Sequence, residues 1–456
     1  MYKMNDSSGD PMISAQNRSL EPLLTMGSEY DYAEKHLLLV GTGGIKRRPV
    51  MEALHALGLG RITCLHDERN WAKDFVDDWI DGDPVYPSEE TLQLVKRRAG
   101  KLDAVYTYDD YSVILTAFLS ERLGLPGIPA AVAQTAKNKA ALRELCARSG
   151  LPAARFTYCA PGDSDVLGAM ERAGVTFPVV LKPAHGAGSV FVRRVNDQAE
   201  LASQLANYTA ALTANPVTQL WPDTGVLVEE YLAGPEVDID LLIQNGSVRY
   251  AAVTDNFAPV EPYFMELGGE IPSALPPPVQ SELIAVAART LHALGAHNLC
   301  AHFEARFTAR GGVPIEANLR IGGAEVFDFH RMAYGVNLVE GGVRIALGLP
   351  VPPLTPDPRC YMRSINVITP RSGTLGEIRP DPWLPLHPGF SEMVFFRNAG
   401  EVVRVPPDGF DYIGWVTATG STRAWATQNL REILSLIEVG VGDGFYIPKI
   451  VGAEDP

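Results

Sequence analysis

Short apolar runs and the turns that follow them indicate an α/β fold in the first third of the chain. The run from His36 to Val40 ends in Gly-Thr-Gly-Gly, which is typical of a buried parallel strand that enters a tight turn before a helix. Similar runs lie at 61–65 and 102–106, and segments with helical spacing separate them. Because strands that alternate with helices form parallel sheets, the pattern predicts a doubly wound α/β domain over residues 35–130.

The pattern changes near residue 131, where short strands separated by turns become frequent. Amphipathic helices are predicted at 138–149 and 279–294. The predicted strands are 178–183, 189–192, 226–231, 237–243, 302–307 and 314–319. Neighbouring strands of this kind form hairpins rather than βαβ units, so we expect an α+β domain over residues 131–350.

The two ends of the chain have patterns of their own. A proline-rich segment at 350–356 marks a boundary, and we predict a small β-rich domain over 351–456 that ends in a helix near 424–439. Residues 1–34 lack apolar periodicity and carry two basic and six acidic side chains. We expect a flexible leader there.

Composition and charge narrow the functional classes. The chain has 456 residues, with 39 Lys and Arg against 54 Asp and Glu, and a formal net charge of −15. This charge argues against a non-specific nucleic-acid binder, and no apolar run approaches the ~20 residues that span a bilayer. The first residues do not have the pattern of a secretory signal. Five scattered cysteines without a Cys-x-x-Cys pair exclude a disulfide framework or a thiolate zinc site. We therefore expect a cytoplasmic protein without nucleic-acid or membrane partners.

The glycine-rich turn at 41–44 has part of a dinucleotide-binding fingerprint. The full fingerprint needs a glycine at position 46, where Lys46 stands. We interpret the segment as a tight strand-to-helix turn. Contact with an anionic group of a substrate at the helix N-terminus is the functional alternative.

A stronger candidate is the loop at 184–189, Ala-His-Gly-Ala-Gly-Ser, which follows Lys182 at the end of a predicted strand. Small residues leave backbone N–H groups free to surround an anion, and Lys182 adds a point charge. The alternative is an ordinary glycine hairpin beside a half-exposed lysine.

An acidic strand end at 228–232 is the next candidate. Alternation along the strand directs Glu229 and Glu230 to opposite faces, so that one of them faces a cleft. The spacing from Glu229 to Glu236 allows one carboxylate to meet the amine of a base and the other the hydroxyls of a ribose. The alternative is a solvated acidic edge.

A set of hard ligands lies further along the chain. Glu304 is in a predicted strand, and three polar residues follow a short turn at alternate positions: Glu316, Asn318 and Arg320. Residues two apart share one face of a strand, and a hairpin brings Glu304 alongside them. Two carboxylates and an amide oxygen suit Mg²⁺ that bridges nucleotide phosphates, and Arg320 suits charge on a phosphoryl group or an oxyanion. The alternative is a salt-bridged polar strand face.

Taken together and in this order, these features resemble the ATP-grasp superfamily, in particular its carboxylate–amine ligases of the L-amino acid ligase type. The resemblance rests on Asn138-Lys139, 179–183, the glycine loop, 228–231 and Glu304 with Glu316-x-Asn318-x-Arg320. It extends to 369–375 and 414–421, which are similar to the C-terminal domains of biotin-carboxylase-like and L-amino-acid-ligase-like proteins. The implied architecture is an N-terminal α/β domain, central ATP-grasp subdomains and a small β-rich C-terminal domain.

The resemblance also implies how ATP is bound. The adenine amine would lie near Glu229 and the main chain of residues 230–232, Glu236 would hold the ribose, and the glycine loop would close over the phosphates. The implied nucleotide-binding set is Lys139, Lys182, His185, Gly186, Gly188, Ser189, Glu229, Glu230, Tyr231, Leu232 and Glu236. Two Mg²⁺ ions, for which Mn²⁺ can substitute, would lie on Glu304, Glu316 and Asn318.

The implied reaction is the activation of a small carboxylate, such as an amino acid, as an acyl phosphate, followed by condensation with an amine. Arg320 and Lys182 are the implied catalytic residues. The implied substrate-binding residues are His302, Arg320, Gly322, Gly323 and Glu270. Similar ligases make dipeptides or peptide-like natural products, and a homodimer is common among them. The alternatives are a carboxylase-like or purine-pathway ATP-grasp enzyme and an inactive ATP-binding regulatory protein.

Overall fold

The computed structural model describes residues 12–14, 30–163, 165–186, 188–214, 225–323 and 325–450. Most of the predicted leader, residues 1–11 and 15–29, lies outside the described residues.

The helices are α1 (Arg48–His55), α2 (Glu89–Ala99), α3 (Val113–Leu123), α4 (Ala130–Lys137), α5 (Lys139–Arg148), α6 (Val166–Ala173), α7 (Gln198–Ala214), α8 (Pro277–Leu294), α9 (Val326–Tyr334), α10 (Leu338–Ala346) and α11 (Arg423–Ser435). Short 3-10 helices lie at Ile45–Arg47, Trp71–Phe75 and Leu384–Leu386. The strands are β1 (Met12–Ser14), β2 (His36–Val40), β3 (Arg61–His66), β4 (Asp78–Asp81), β5 (Ala104–Tyr106), β6 (Phe156–Cys159), β7 (Val179–Pro183), β8 (Arg193–Val195), β9 (Val226–Glu230), β10 (Glu236–Gln244), β11 (Ser247–Asn256), β12 (Gly268–Ile271), β13 (Leu299–Thr308), β14 (Gly311–Asn318), β15 (Tyr361–Val367), β16 (Gly373–Pro380), β17 (Phe390–Phe395), β18 (Val402–Val403), β19 (Gly414–Gly420), β20 (Ile437–Val441) and β21 (Gly444–Tyr446).

The N-terminal part is the predicted α/β unit, with a parallel sheet in the order β4-β3-β2-β5. Alternate residues of β2 bury into two different cores. Leu37 packs in a core that includes α1, whereas Leu38 packs in a core that includes α2 and α3. Both faces of the strand are therefore covered, which explains why its sequence is an unbroken apolar run.

A nine-stranded sheet forms the centre of the molecule, in the order β1-β17-β19-β15-β12-β11-β10-β13-β14. Its β10 pairs with both β11 and β13 in antiparallel register, and β13 continues into the hairpin with β14. Ile239, Leu241 and Phe303 pack against α8, where Leu283 and Leu291 are fully buried. The sheet and α8 thus fix the position of the β13–β14 hairpin.

The central sheet continues across the predicted boundary at residue 350. Gly269 of β12 pairs with Ser364 of β15, and β15 then pairs with β19. The strand β1, in the predicted leader, extends the same sheet by pairing with β17. The division of the chain into four units therefore stays a prediction, since no gap in the sheet marks the third boundary.

A smaller antiparallel sheet, in the order β6-β9-β7-β8, stands apart from the central one. It has a core of its own, in which Leu181 and Val228 pack against Met170 of α6 and Leu201 of α7. A cleft therefore separates two sheets with separate cores.

Two predicted elements are wrong. Residues 189–192 form a turn rather than a strand, because Ser189 and Phe191 have positive φ angles of 55° and 63°, which no strand can include. The predicted C-terminal helix ends at Ser435, and Ile437–Val441 forms β20 instead. Its Val439 and Val441 are β-branched and bury into a core beside β16, an environment that favours a strand.

No helix within the described ranges is long and apolar enough to cross a membrane.

Replacing Phe303 with alanine should lower the free energy of unfolding by about 3–5 kcal/mol, because its ring is fully buried between the central sheet and α8. Urea denaturation followed by circular dichroism measures the change. Trp383→Ala is the matched control, since Trp383 is 72% exposed and surface substitutions stay within about 0.5 kcal/mol. Equal effects of the two substitutions would contradict this account of the core.

Candidate active site

The cleft between the small sheet and the β13–β14 hairpin contains a cavity. Twelve of the residues predicted to bind nucleotide or metal line it: Lys139, Lys182, Gly186, Gly188, Ser189, Glu229, Glu230, Tyr231, Leu232, Glu236, Glu304 and Glu316. The fold thus brings five separate segments of sequence to one place.

Lys182 and Glu229 form a buried ion pair on neighbouring strands of the small sheet. Arg143 of α5, fully buried, also binds Glu229, with 3.2 Å between its Nε and the carboxylate Oε2. Burial raises the pKa of Glu229, but Arg143 and Lys182 lower it more, so the carboxyl group is ionised. Burial lowers the pKa of Lys182 to about 8 although Glu229 acts to raise it. The carboxylate predicted to meet an adenine amine is therefore already held by two cations.

The next two acidic residues also face cations. Glu230 accepts hydrogen bonds from Arg155 and from Arg310, whose side chains are each 54% exposed. Glu236 accepts from Arg306, at 2.9 Å from Nε. Glu229 and Glu230 thus bind different sets of arginines, as expected for neighbouring residues of one strand.

The glycine loop bends sharply where it passes the cavity. Gly188 and Ser189 have φ angles of 63° and 55°, and a Cβ at Gly188 would meet nothing within 4 Å. Lys139 Nζ donates to the carbonyl of Gly186 at 3.1 Å. His185 is held at 3.2 Å by Asn138 and is not among the lining residues. The loop is therefore tied to the start of α5, while Gly188 faces open space.

Glu304 and Glu316 lie directly opposite each other in the β13–β14 register. Asn318 Nδ2 donates to Glu304 Oε1 at 3.1 Å, and Lys139 Nζ lies 3.3 Å from Glu316 Oε1. Burial and the nearby charge of Glu316 raise the pKa of Glu304 well above its ordinary value. Because a cation between the two carboxylates would relieve this repulsion, the pair fits a divalent metal ion. No three His, Cys, Asp or Glu side chains within the described ranges are arranged to hold a metal by themselves, so the remaining ligands would be other oxygen atoms.

A buried hydrogen-bonded chain lies behind His302. Its Nδ1 is 2.9 Å from Asp240, which also faces His330 at 3.1 Å, and His330 bonds to the hydroxyl of Tyr250 at 2.7 Å. Burial lowers the pKa of His302, but Asp240 and Asp238 raise it to about 10. His302 is therefore a fixed positive charge two residues from Glu304.

The sequence analysis missed Asp238, Asp240 and Arg143. The two aspartates alternate on β10, a spacing that places both on one face. That signal could have identified them, because an apolar strand seldom carries two acidic residues on one side. Arg143 gave no comparable signal, since arginine is common in amphipathic helices.

Arg320 lies where the N-terminal unit meets the hairpin. Its Nε donates to Asp110 at 3.0 Å, and the guanidinium of Arg47 donates to the carbonyl of Gly322. A Cβ at Gly322 would lie 2.8 Å from His302 Nδ1, so a larger residue does not fit there. Gly323 has open space around it.

Glu270 is placed elsewhere. It forms ion pairs with Arg363 at 3.0 Å and Arg423 at 3.1 Å and does not line the cavity. Glu266, which precedes it on the same segment, does. The other predicted substrate-binding residues, His302, Arg320, Gly322 and Gly323, do not line the cavity either, so Glu270 differs from them in being held by two arginines.

Comparison with known proteins identifies two domains. Residues 175–328 match the family described as ATP-grasp domain, and residues 366–442 match the family described as L-amino acid ligase C-terminal domain 2.

Two curated proteins illustrate the similarity in sequence. Carnosine synthase 1 of Gallus gallus is 32% identical over 384 residues, covering 81% of this chain and 41% of that protein. The chain thus spans about two fifths of the length of this relative. Alanine–anticapsin ligase of Bacillus subtilis is 22% identical over 278 residues, covering 58% of each chain.

Among solved structures, the L-amino acid ligase from Bacillus licheniformis has a similar fold. The TM-score is 0.77 at 21% identity, and the match covers 90% of this chain and 100% of that chain. The chain therefore has the ATP-grasp fold, as the sequence motifs predicted.

Arg143→Met should lower the free energy of unfolding by about 3 kcal/mol, since it removes one cation from the buried Glu229. Because the pKa of Glu229 is lowered in the folded protein, its ion pair with Arg143 stabilises the fold at neutral pH. This stabilisation is lost as the pH falls through that pKa. Urea denaturation at neutral and acidic pH measures both effects. Arg148→Met on the same helix is the control, because Arg148 is 68% exposed and pairs at the surface, where ion pairs contribute about 0–1 kcal/mol. A pH-independent loss would contradict the assignment.

Proposed function

Since the chain carries an ATP-grasp domain followed by an L-amino acid ligase C-terminal domain, we propose that it is an ATP-dependent carboxylate–amine ligase. It activates a small carboxylic acid, of the amino-acid class, by transfer of the γ-phosphoryl group of ATP. An amine then attacks the acyl phosphate, an amide bond forms, and ADP and phosphate leave. Dipeptides and peptide-like natural products are the proposed product class.

The opposed pair Glu304 and Glu316 is the observation that carries this proposal. Two carboxylates held face to face in a half-buried site destabilise the protein unless a cation joins them, and a protein that merely bound a nucleotide would not need them. They line the same cavity as Lys182 and Lys139, the lysines proposed to contact the phosphates. This combination supports phosphoryl transfer rather than binding alone.

The remaining roles follow from the partners of each side chain. Lys182, held in place by Glu229, and Lys139, held by Gly186 and Glu316, position the phosphates under the glycine loop. The main chain of residues 230–232 and the carboxylate of Glu236 are proposed to bind the base and the ribose. Because Glu229 already binds Arg143 and Lys182, its proposed role is to position Lys182.

Charge compensation is proposed to come from three groups. Mg²⁺ ions held by Glu304, Glu316 and Asn318 neutralise phosphate charge when bound. Arg320 stabilises the negative charge of the acyl phosphate and of the tetrahedral intermediate. The positively charged His302, two residues from Glu304 on β13, adds to this stabilisation. Catalysis then depends on positioning and electrostatics, without a protein nucleophile.

ADP release with Mg-ATP across a matrix of amino acids and small carboxylic acids, singly and in pairs, tests the proposal. We expect release that requires one particular pair and a product whose mass equals their sum minus water. Release that depends on bicarbonate would support a carboxylase-like enzyme instead. Nucleotide binding without release under any condition would support a regulatory protein.

Glu316→Gln is the matched variant for this assay. It keeps the size of the side chain but removes the charge, so we expect turnover to fall at least about 100-fold while the circular dichroism spectrum is unchanged. Full activity would exclude Glu316 as a metal ligand.

Nucleotide affinity should fall as pH rises above about 8, because Lys182 then loses the proton that attracts the phosphates. The expected slope is about tenfold per pH unit. Titration calorimetry with a non-hydrolysable ATP analogue measures it, and Lys182→Arg should remove the slope because arginine stays charged.

The ordinary pKa of lysine is 10.5, so Lys182 stays protonated to a higher pH in the unfolded chain than in the folded one. This group therefore favours folding more as pH rises, and a fall in affinity cannot be attributed to its effect on unfolding. A slope retained in Lys182→Arg would contradict the prediction.

A further inference from the structure

A second cavity, of about 360 Å³, lies along one edge of β11. Five successive residues of this strand, 248–252, line it. Successive side chains point to opposite faces of a sheet, so a cavity that touches all five lies at the edge of the strand rather than on one face. Its other walls include Ile284 of α8, Tyr334 of α9 and residues 353–356 of the proline-rich segment. Its volume is within the range of small-molecule sites.

The main chain of β11 is unpaired along most of this edge. Its other edge pairs with β10, whereas β12 pairs with β11 only at Asp255 and Asn256. Within the described ranges, one main-chain bond reaches residues 247–254 from the side away from β10. It runs from Leu354 N–H to the carbonyl of Arg249, at 2.6 Å. Most of the edge is therefore free to pair with another strand.

The bonds of the neighbouring residues show which main-chain groups face the cavity. Phe257 N–H donates to the carbonyl of Gly268, on the side away from β10, at 2.9 Å. Alternate residues of an antiparallel strand direct their N–H and C=O groups to the same side. Ala251 lies six residues before Phe257, so its N–H and C=O groups also point away from β10 and towards the cavity. An extended peptide can pair with them as an added strand.

Arg249 supplies a positive charge at one end of this edge. It is the extra residue of a β-bulge, because Val248 pairs with Ile243 and Tyr250 pairs with Leu242, and a bulge turns a side chain out of the regular ladder. The buried Nε of Arg249 has no hydrogen-bond partner, and its guanidinium makes no ion pair in the described part of the chain. Of the residues that line the cavity, Arg249 alone is charged. A carboxylate is the group that complements it.

The buried chain behind His302 joins this cavity to the candidate active site. Tyr250 lines the cavity, and its hydroxyl bonds to His330. His330 bonds to Asp240, which in turn bonds to His302. Tyr250, His330 and Asp240 are at most 2% exposed, and closely packed interiors transmit strain. A ligand that displaces Tyr250 therefore acts on the positive charge two residues from Glu304.

We propose that this cavity is a regulatory site for a short peptide with a free carboxylate. The main chain of the peptide extends the sheet at Ala251, its carboxylate binds Arg249, and an apolar side chain packs against Ile284. Occupancy displaces Tyr250 and, through the buried chain, His302, so that the cleft is less preorganised for the nucleotide. The ligand is of the class proposed as the product of the ligase, but the site lies outside the cleft and its test does not require amide formation.

Titration calorimetry with N-acetyl-alanyl-leucine and with its C-terminal amide tests the binding site. The two peptides differ only in the carboxylate. We expect Arg249→Met to weaken binding of the acid at least about tenfold, to the level of the amide, because a charge-assisted hydrogen bond is lost. An analogue methylated on both main-chain nitrogens should bind more weakly than its parent, because it cannot donate to the carbonyl of Ala251. Arg289→Met is the matched control, since Arg289 is exposed on α8 and does not line the cavity.

Calorimetry with a non-hydrolysable ATP analogue and Mg²⁺ measures the coupling between the two sites. Saturating acetyl peptide should weaken nucleotide binding at least about fivefold, and the nucleotide should weaken peptide binding by the same factor. Tyr250→Phe keeps the ring that lines the cavity but removes the hydroxyl bonded to His330. This variant should bind the peptide as the wild type does, but the peptide should no longer change its nucleotide affinity. Circular dichroism checks that each variant is folded.

The outcomes distinguish the site, its regulatory role and the ligase function. Wild-type binding that is equal for the acid and the amide, or binding of the acid that survives Arg249→Met unchanged, would overturn the site. Wild-type nucleotide affinity that the peptide does not change, or changes equally in Tyr250→Phe, would overturn the regulatory role. A protein that binds the acetyl peptide as expected but forms no amide with any pair of substrates would support this inference and refute only the ligase function.

Discussion

The antiparallel register of β13 and β14 is the constraint on which the rest of the site depends. It places Glu304 opposite Glu316 in a half-buried position, where two like charges are not both ionised without compensation. The neighbouring elements supply that compensation: Lys139 comes from the start of α5, Asn318 from the same hairpin, and Arg320 from the residues that follow it. Three separate parts of the chain thus act on one pair of carboxylates.

Buried charges recur around the cleft, and partners from different parts of the chain hold them. Glu229 of the small sheet is bound by Arg143 of α5, and Asp110 of the N-terminal unit is bound by Arg320 and Lys137. Replacing such pairs by apolar residues is often neutral for stability. The ion pairs instead fix the positions of charges across three structural units. Phosphoryl transfer requires charges that are fixed in this way.

Much of this arrangement could be predicted from the sequence, because it depends on local spacing. Alternation along a predicted strand singled out Glu316 and Asn318, which lie on β14, and Arg320, which follows that strand, and the small residues after Lys182 singled out the glycine loop. The partners in the buried chain could not be paired in this way, since Asp240 lies 62 residues from His302 and 90 from His330. The prediction of a strand at 189–192 is wrong because an apolar run indicates burial but does not reveal that the backbone has positive φ angles.

The pairing of β12 with β15 has a consequence for any attempt to divide the protein. Ending the chain at the proline-rich segment would remove β15, β17 and β19 and leave without partners those N–H and C=O groups of Gly268–Ile271 that pair with β15, although β12 would still pair with β11. An unprotected sheet edge is a template for self-association. A fragment that contained every residue of the cleft would therefore be prone to aggregate, and the C-terminal domain acts as the cover of that edge.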